Sequence, residues 1–122
     1  MKQSPTLLYV DDEPLNLKLF EVNFQKNFTV RTAMSGADGI EILCNEPSIS
    51  VVISDMKMPG MNGIEFIKKA KKQFPEIVFF ILTGYEITDE ILHALDEKLI
   101  HKYFKKPFHM KDMEAAIMEV LG

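Results

Sequence analysis

Short apolar runs, most of them ending in a charged or hydroxyl side chain, recur along this chain and limit its fold more than any other feature. Leu7-Leu8-Tyr9-Val10 stops at Asp11-Asp12-Glu13, Val51-Val52-Ile53 meets Ser54-Asp55, and Ile77 to Leu82 stops at Thr83-Gly84. Lys102-Tyr103-Phe104 runs into Lys105-Lys106-Pro107, and Phe28-Thr29-Val30-Arg31-Thr32 is a further β-rich segment. Most of these runs are apolar throughout instead of alternating. Strands of that kind are covered on both faces, which is the habit of a parallel sheet.

Helix-length stretches separate the runs. Ser35 suits the N-cap of a helix that carries Ala37, Ile40, Leu43 and Cys44 on one face. Ile64, Ile67, Ala70 and Phe74 repeat that spacing in a third helix, whose outward side carries Lys68, Lys69, Lys71 and Lys72. Ile87, Ile91 and Leu95 mark a fourth helix, and Met113, Ile117, Val120 and Leu121 a fifth. The first is ambiguous, because Leu15, Leu17 and Leu19 alternate as in a strand while Leu17, Phe20 and Phe24 fit a helix. Pro14 in a first turn, and the length of the segment, favour helix. Strand followed by helix, five times over in 122 residues, predicts one α/β domain over residues 1–122. Right-handed crossovers then favour a doubly wound, flavodoxin-like sheet in the order 2-1-3-4-5, with a crevice at the carboxyl ends of strands 1 and 3.

Composition removes several function classes. Hydrophobic residues are 47% and charged residues 26%, ordinary for a packed domain. No apolar run approaches the roughly 20 residues that cross a bilayer, so no membrane partner is expected. The single cysteine, Cys44, excludes a disulfide framework and a cysteine-rich zinc site and is expected to pack as a small apolar residue. His93, His101 and His109 lack the spacing of metal ligands. A net charge of −4 argues against direct nucleic-acid binding by this domain. The first residues show neither an apolar h-region nor a cleavage site, and the expected location is the cytoplasm.

In the predicted order, the ends of strands 1, 3, 4 and 5 lie together. Two or three of the carboxylates of Asp11, Asp12, Glu13 and Asp55, the Thr83 hydroxyl and the Lys106 ammonium then converge on one crevice. Crowded carboxylates repel unless a positive charge sits among them, and a hard cation such as Mg²⁺ suits a few carboxylates plus phosphate oxygens. One carboxylate could act as nucleophile toward a phosphoryl group, with Lys106 and Thr83 stabilising its equatorial oxygens.

Four fragments, each at a predicted strand end, carry a resemblance: YVDDEP at Tyr9 to Pro14, ISDMKMPGMNG at Ile53 to Gly63, LTG at Leu82 to Gly84, and YFKKPF at Tyr103 to Phe108. Taken singly each has a plainer reading; the acids before Pro14, for instance, would suit any helix N-terminus. Together they resemble the receiver domain of two-component response regulators, over essentially the whole chain. The resemblance implies that Asp55 is the phosphoacceptor and that Asp11, Asp12, Asp55 and the Lys57 backbone carbonyl hold Mg²⁺. It further implies that Thr83 and Tyr103 are switch residues, and that Lys106 precedes a cis bond to Pro107. A sensor histidine kinase or phosphotransfer protein would be the donor, with helix 1 near Pro14 and Leu15 as its docking region. The surface of helix 4, strand 5 and helix 5 would signal to an output domain, fused or separate, or form a homodimer. The chain would assist only its own phosphorylation and dephosphorylation, and so would be a switch instead of an enzyme. Lys57 and Tyr85 stand where the attacking water passes in this family, and their bulk is expected to lengthen the phosphoryl lifetime. Residues 95–100 lack the family's small turn before strand 5, which bears on the shape of that surface.

Other classes fit less well. An FMN binder needs a Gly/Ser/Thr-rich phosphate cradle after strand 1, where this chain places acids. A haloacid-dehalogenase-type phosphatase needs a second acid where Lys57 stands. A receiver-like interaction module that is never phosphorylated remains the alternative.

Overall fold

The computed structural model describes residues 5–84 and 86–121. Along them run β1 (Thr6–Val10), α1 (Pro14–Phe24), β2 (Thr29–Ala33), α2 (Gly36–Asn45), β3 (Ile49–Asp55), α3 (Gly63–Gln73), β4 (Val78–Thr83), α4 (Asp89–Asp96), β5 (Lys102–Lys105) and α5 (Met110–Leu121). The strands form one parallel sheet in the order β2-β1-β3-β4-β5, as expected from the alternation. Among the described residues no helix is long and apolar enough to cross a membrane.

Two cores flank the sheet. Leu8, Val10, Val52 and Ile81 face Leu43, Phe66, Ile67 and Ile91 of α2, α3 and α4. Leu7, Tyr9, Val51, Ile53 and Phe80 belong to the opposite core, with Leu17, Phe20 and Phe24 of α1 and Met113 and Ile117 of α5. Successive strand residues therefore feed opposite cores, which is why the central runs are apolar without alternation. The edge strand β5 has no buried residue, and β2 buries only Val30 and Ala33.

The ambiguous first segment is a helix. Leu17, Phe20 and Phe24 are buried, while Leu15 and Leu19 are 68% and 51% exposed. The face expected of α2 needs correction. Ser35 does cap it, its hydroxyl accepting from the Asp38 N–H, but Ala37 and Cys44 are exposed and Gly36, Gly39 and Leu43 are buried. A Cβ on Gly36 would lie 3.0 Å from Met61 Sδ, and one on Gly39 3.0 Å from the Phe66 ring. The helix turns its glycine edge inward to approach that closely, and Ala37 and Cys44 are carried outward. Lys71 also departs from its expected place on the outward side of α3: its ammonium donates to the Ile77 carbonyl at 3.1 Å, over the Phe79 ring. Helix α4 begins only after Thr88, its cap, so Ile87 precedes it.

After α4 the chain turns at Lys98, which has φ 63°. Its N–H bonds to the Leu95 carbonyl, and the Leu99 N–H to that of Ala94, closing the helix as a glycine-terminated end would. A side chain in this left-handed region is strained. Lys98→Gly is expected to stabilise the domain by about 0.5–1 kcal/mol, the strain relief being partly offset by glycine's entropy. Urea midpoints would show it; a loss of stability would mean that the lysine side chain contributes more than its backbone costs.

Candidate functional site

Pairing of the strands sets the site. Val10 of β1 pairs with Ser54 of β3, so Asp11 and Asp55 leave the sheet side by side. Asp55 pairs with Leu82 and Thr83 with Lys105, which brings Thr83 and Lys106 to the same edge. One carboxylate oxygen from each of Asp11, Asp12 and Asp55 lies within 4.8 Å of the others. Asp11 is fully buried, and Asp55 and Thr83 are 8% and 2% exposed.

Local packing fixes the acids. Met56 N–H donates to the Leu82 carbonyl and Gly63 N–H to the Met56 carbonyl, each at 2.8 Å, folding α3 back under the end of β3. A Cβ on Gly63 would stand 2.5 Å from the Asp55 carbonyl oxygen, so only glycine allows that approach. Asn62 caps α3, accepting from Glu65 N–H while the Glu65 carboxylate accepts from Asn62 N–H.

The cation comes from the end of β5. Lys106 N–H donates to the Thr83 carbonyl at 2.8 Å, and the Lys106–Pro107 peptide is cis, as the resemblance implied. Its Nζ lies 2.9 Å from Asp55 Oδ1 and 3.5 Å from Asp11 Oδ2. Burial pushes the Asp55 carboxyl above its ordinary range; Lys106 pulls it down, Asp11 and Asp12 push it further up, and the net is a rise. For Lys106, burial works to lower the ammonium, but the hydrogen bond and charge of Asp55, then Asp11, outweigh it and hold it above its usual value.

Asp11 and Asp55 thus face the Lys106 ammonium, with the Asp12 carboxylate beside them. Hard oxygen donors without nitrogen or sulfur fit Mg²⁺ or another hard cation. Asp12, Asn16, Asp55, Lys57, Gly84 and Lys106 line a cleft of about 390 Å³ there, wide enough for waters and a phosphoryl group. Lys57 is exposed on the turn after Asp55. Tyr103 is half-buried against the core shared with α4. Tyr85 lies outside the described residues.

Two residues at the site were not singled out from sequence. Tyr9 O–H donates to Asp11 Oδ2 at 2.5 Å, and Asn16 Nδ2 to the same oxygen at 3.2 Å. Burial, then the hydrogen bond and charge of Asp11, push the Tyr9 phenol far above its ordinary range, so it stays a donor. Tyr9 reads as one more apolar strand residue, yet its place two residues before Asp11 puts both on one side of the chain. That spacing was the available signal.

The pKa directions give a stability prediction for the cation-free protein. Because Asp55 has a raised folded value, the folded state binds more protons between the ordinary and the raised pKa, and stability falls as pH rises through that window. Lys106 adds stability that is complete below its ordinary pKa and is lost as pH climbs through its raised value. Asp55→Asn should remove the acidic slope and, in chelator at neutral pH, stabilise by on the order of 1 kcal/mol, whereas Lys106→Met should destabilise by about 3 kcal/mol. Urea unfolding across pH reads both; the reverse order of the two variants would show that the ammonium is not what holds the acids together.

Comparisons with known proteins bear on the family and the fold. Residues 7–118 match the response regulator receiver domain. The chain is 32% identical over 120 residues to the hydrogenase transcriptional regulatory protein HoxA of Cupriavidus necator, covering 96% of this chain and 25% of that protein. It is 31% identical over 116 residues to the response regulator SaeR of Staphylococcus aureus, covering 94% of this chain and 50% of that one. The chain thus spans a quarter of the length of the first of these relatives and half of the second. A crystal structure of a response regulator receiver domain protein from Clostridium thermocellum superposes with a TM-score of 0.88 at 33% identity, over 93% of this chain and 91% of that one. The fold, the order of strand ends and these matches agree, and the chain belongs to the response regulator receiver domain family.

Proposed function

We propose that this receiver takes a phosphoryl group onto Asp55 and works as a signalling switch. The observation that carries the reading is the 2.9 Å contact between Lys106 Nζ and Asp55 Oδ1 inside a cluster of three carboxylates. An Asp55 oxygen attacks the phosphorus of a phosphohistidine on a sensor kinase or phosphotransfer protein. The O–P bond forms as the P–N bond breaks, and the imidazole leaves with its electron pair and takes up a proton. Lys106 turns its ammonium from the carboxylate to the incoming phosphoryl oxygens, and the Thr83 hydroxyl donates to another. A Mg²⁺ ion held by Asp11, Asp12, Asp55 and the Lys57 carbonyl would supply the remaining neutralisation of phosphoryl charge.

Burial supports this role for Asp55. Phosphorylation replaces the buried carboxylate charge with a dianionic phosphoryl group that projects into the cleft, where Lys106 and a hard cation can pair with it. In this reading Thr83 shifts toward the phosphoryl group and the Tyr103 ring follows. The surface of α4, β5 and α5 then passes between two states that an output region, fused or separate, or a second copy of the chain reads. Helix α4, eight residues long, reaches the core through Ile91 and Ala94 and packs Leu95 against it. The chain turns over no external substrate.

Intact mass after incubation with a small acyl phosphate tests the reading. One phosphoryl adduct that requires both Mg²⁺ and Asp55 is expected, and Asp55→Asn should carry none. Absence of any adduct in the parent, with acyl phosphate and with a phosphohistidine donor alike, would favour a binding module that is never phosphorylated. The lifetime of the adduct is a separate matter. Lys57 borders the cleft, and we expect Lys57→Asn and Tyr85→Ala each to hasten its decay severalfold. Unchanged or slower loss of the adduct mass in both would show that these side chains do not obstruct the attacking water.

A further inference from the structure

Asp11 accepts from three neutral donors. Its Oδ1 takes the Glu13 N–H at 3.0 Å, and its Oδ2 takes the Tyr9 hydroxyl at 2.5 Å and the Asn16 amide at 3.2 Å. The Lys106 ammonium stands further off, 3.5 Å from that same Oδ2 against 2.9 Å from Asp55. A fully buried carboxylate short of neutral donors would draw in the nearest cation, since an uncompensated charge there is expensive. Here neutral donors have already met most of that need. We propose that Tyr9, seconded by Asn16, is a positioning residue that satisfies Asp11 with neutral hydrogen bonds, leaving Lys106 to Asp55 and Asp11 open to a divalent cation.

The Tyr9 ring is built in for this. It stacks on Phe20 of α1 at 4.2 Å between centroids with planes 12° apart, and Phe20 stacks on Phe24 at 4.4 Å. The phenol therefore cannot swing away from Asp11, and α1 is held where Asn16 reaches the same oxygen. Without the hydroxyl, Lys106 moves toward Asp11 and competes there with the cation. The inference rests on the Mg²⁺ reading of the site and adds the residue that tunes it.

Tyr9→Phe keeps the ring stack and removes only the donor. Calorimetric titration with Mg²⁺ alone should show binding weakened about tenfold, the usual consequence of deleting a hydrogen-bond partner of a metal-ligating carboxylate. Asn16→Ala should weaken it less. In the acyl phosphate assay the Mg²⁺ concentration for half-maximal adduct formation should rise in step while the rate at saturating Mg²⁺ stays near the parent's, because the bound cation then occupies Asp11 and returns Lys106 to Asp55. A hydroxyl that merely fills space would lower the thermal midpoint and leave Mg²⁺ binding unchanged. That result, or tighter binding, overturns the positioning role. A parent that binds no Mg²⁺ overturns it together with the reading on which it rests, so the two failures are distinct.

Discussion

Repulsion among Asp11, Asp12 and Asp55, countered by the Lys106 ammonium, is the constraint to which the other features of this domain answer. Removing an ion from water costs several kcal/mol even after relaxation. Two of these acids are buried, so every feature near them supplies positive charge or donors. Lys106 is held on its backbone by Thr83, the Glu13 amide caps Asp11, and a phenol and a side-chain amide complete its shell. Among the described residues no buried side-chain oxygen or nitrogen is left without a partner. The arrangement is satisfied but remains richer in negative than positive charge, which is the condition under which a hard cation is held.

The sheet makes this possible because a parallel order delivers several strand ends to one edge. The same order forces each strand end to be supported from a helix that starts beside it. Gly63 lets α3 begin against the Asp55 carbonyl, and the Tyr9–Phe20–Phe24 stack ties α1 to β1. On that side aromatic packing fixes the acids. On the other, α4 buries only Ile91 and Ala94, and β5 lies at the sheet edge with no buried residue.

Most of this was legible in the sequence, for a physical reason. The apolar runs stop where the sheet stops, so the residues after them mark its carboxyl edge, and Asp11, Asp55, Thr83 and Lys106 could be placed together from chain order alone. What was not legible depends on rotation and approach. Hydrophobic spacing put Ala37 and Cys44 on the inner face of α2, because periodicity counts a glycine as nothing; in the fold, glycine is what permits contact with Met61 and Phe66. Lys71 was assigned to solvent by its charge, although its ammonium stands over the Phe79 ring and donates to the Ile77 carbonyl. Tyr9 was hidden for the converse reason, since its ring belongs to the core and its hydroxyl to the site.

The plain and the functional readings of the acids before Pro14 are not rivals in this structure. Helix α1 has no side-chain cap from Glu13, its own N-cap residue. Asp11 accepts the Glu13 N–H instead, placing a carboxylate at the positive end of the helix, where an anion is stabilised. A helix N-terminus is stabilised by an acid there on structural grounds alone, and a cation site uses the same acid a few ångströms from Asp55. One side chain can serve both because a carboxylate has two oxygens: Oδ1 takes the Glu13 amide, and Oδ2 takes Tyr9 and Asn16 and faces Lys106. Replacing Asp11 would therefore disturb the start of α1 as well as the charge balance at Asp55. A fall in metal affinity in such a variant says little about direct ligation, whereas loss of the Tyr9 hydroxyl alone leaves the contact between Asp11 and α1 in place and isolates the electrostatic part.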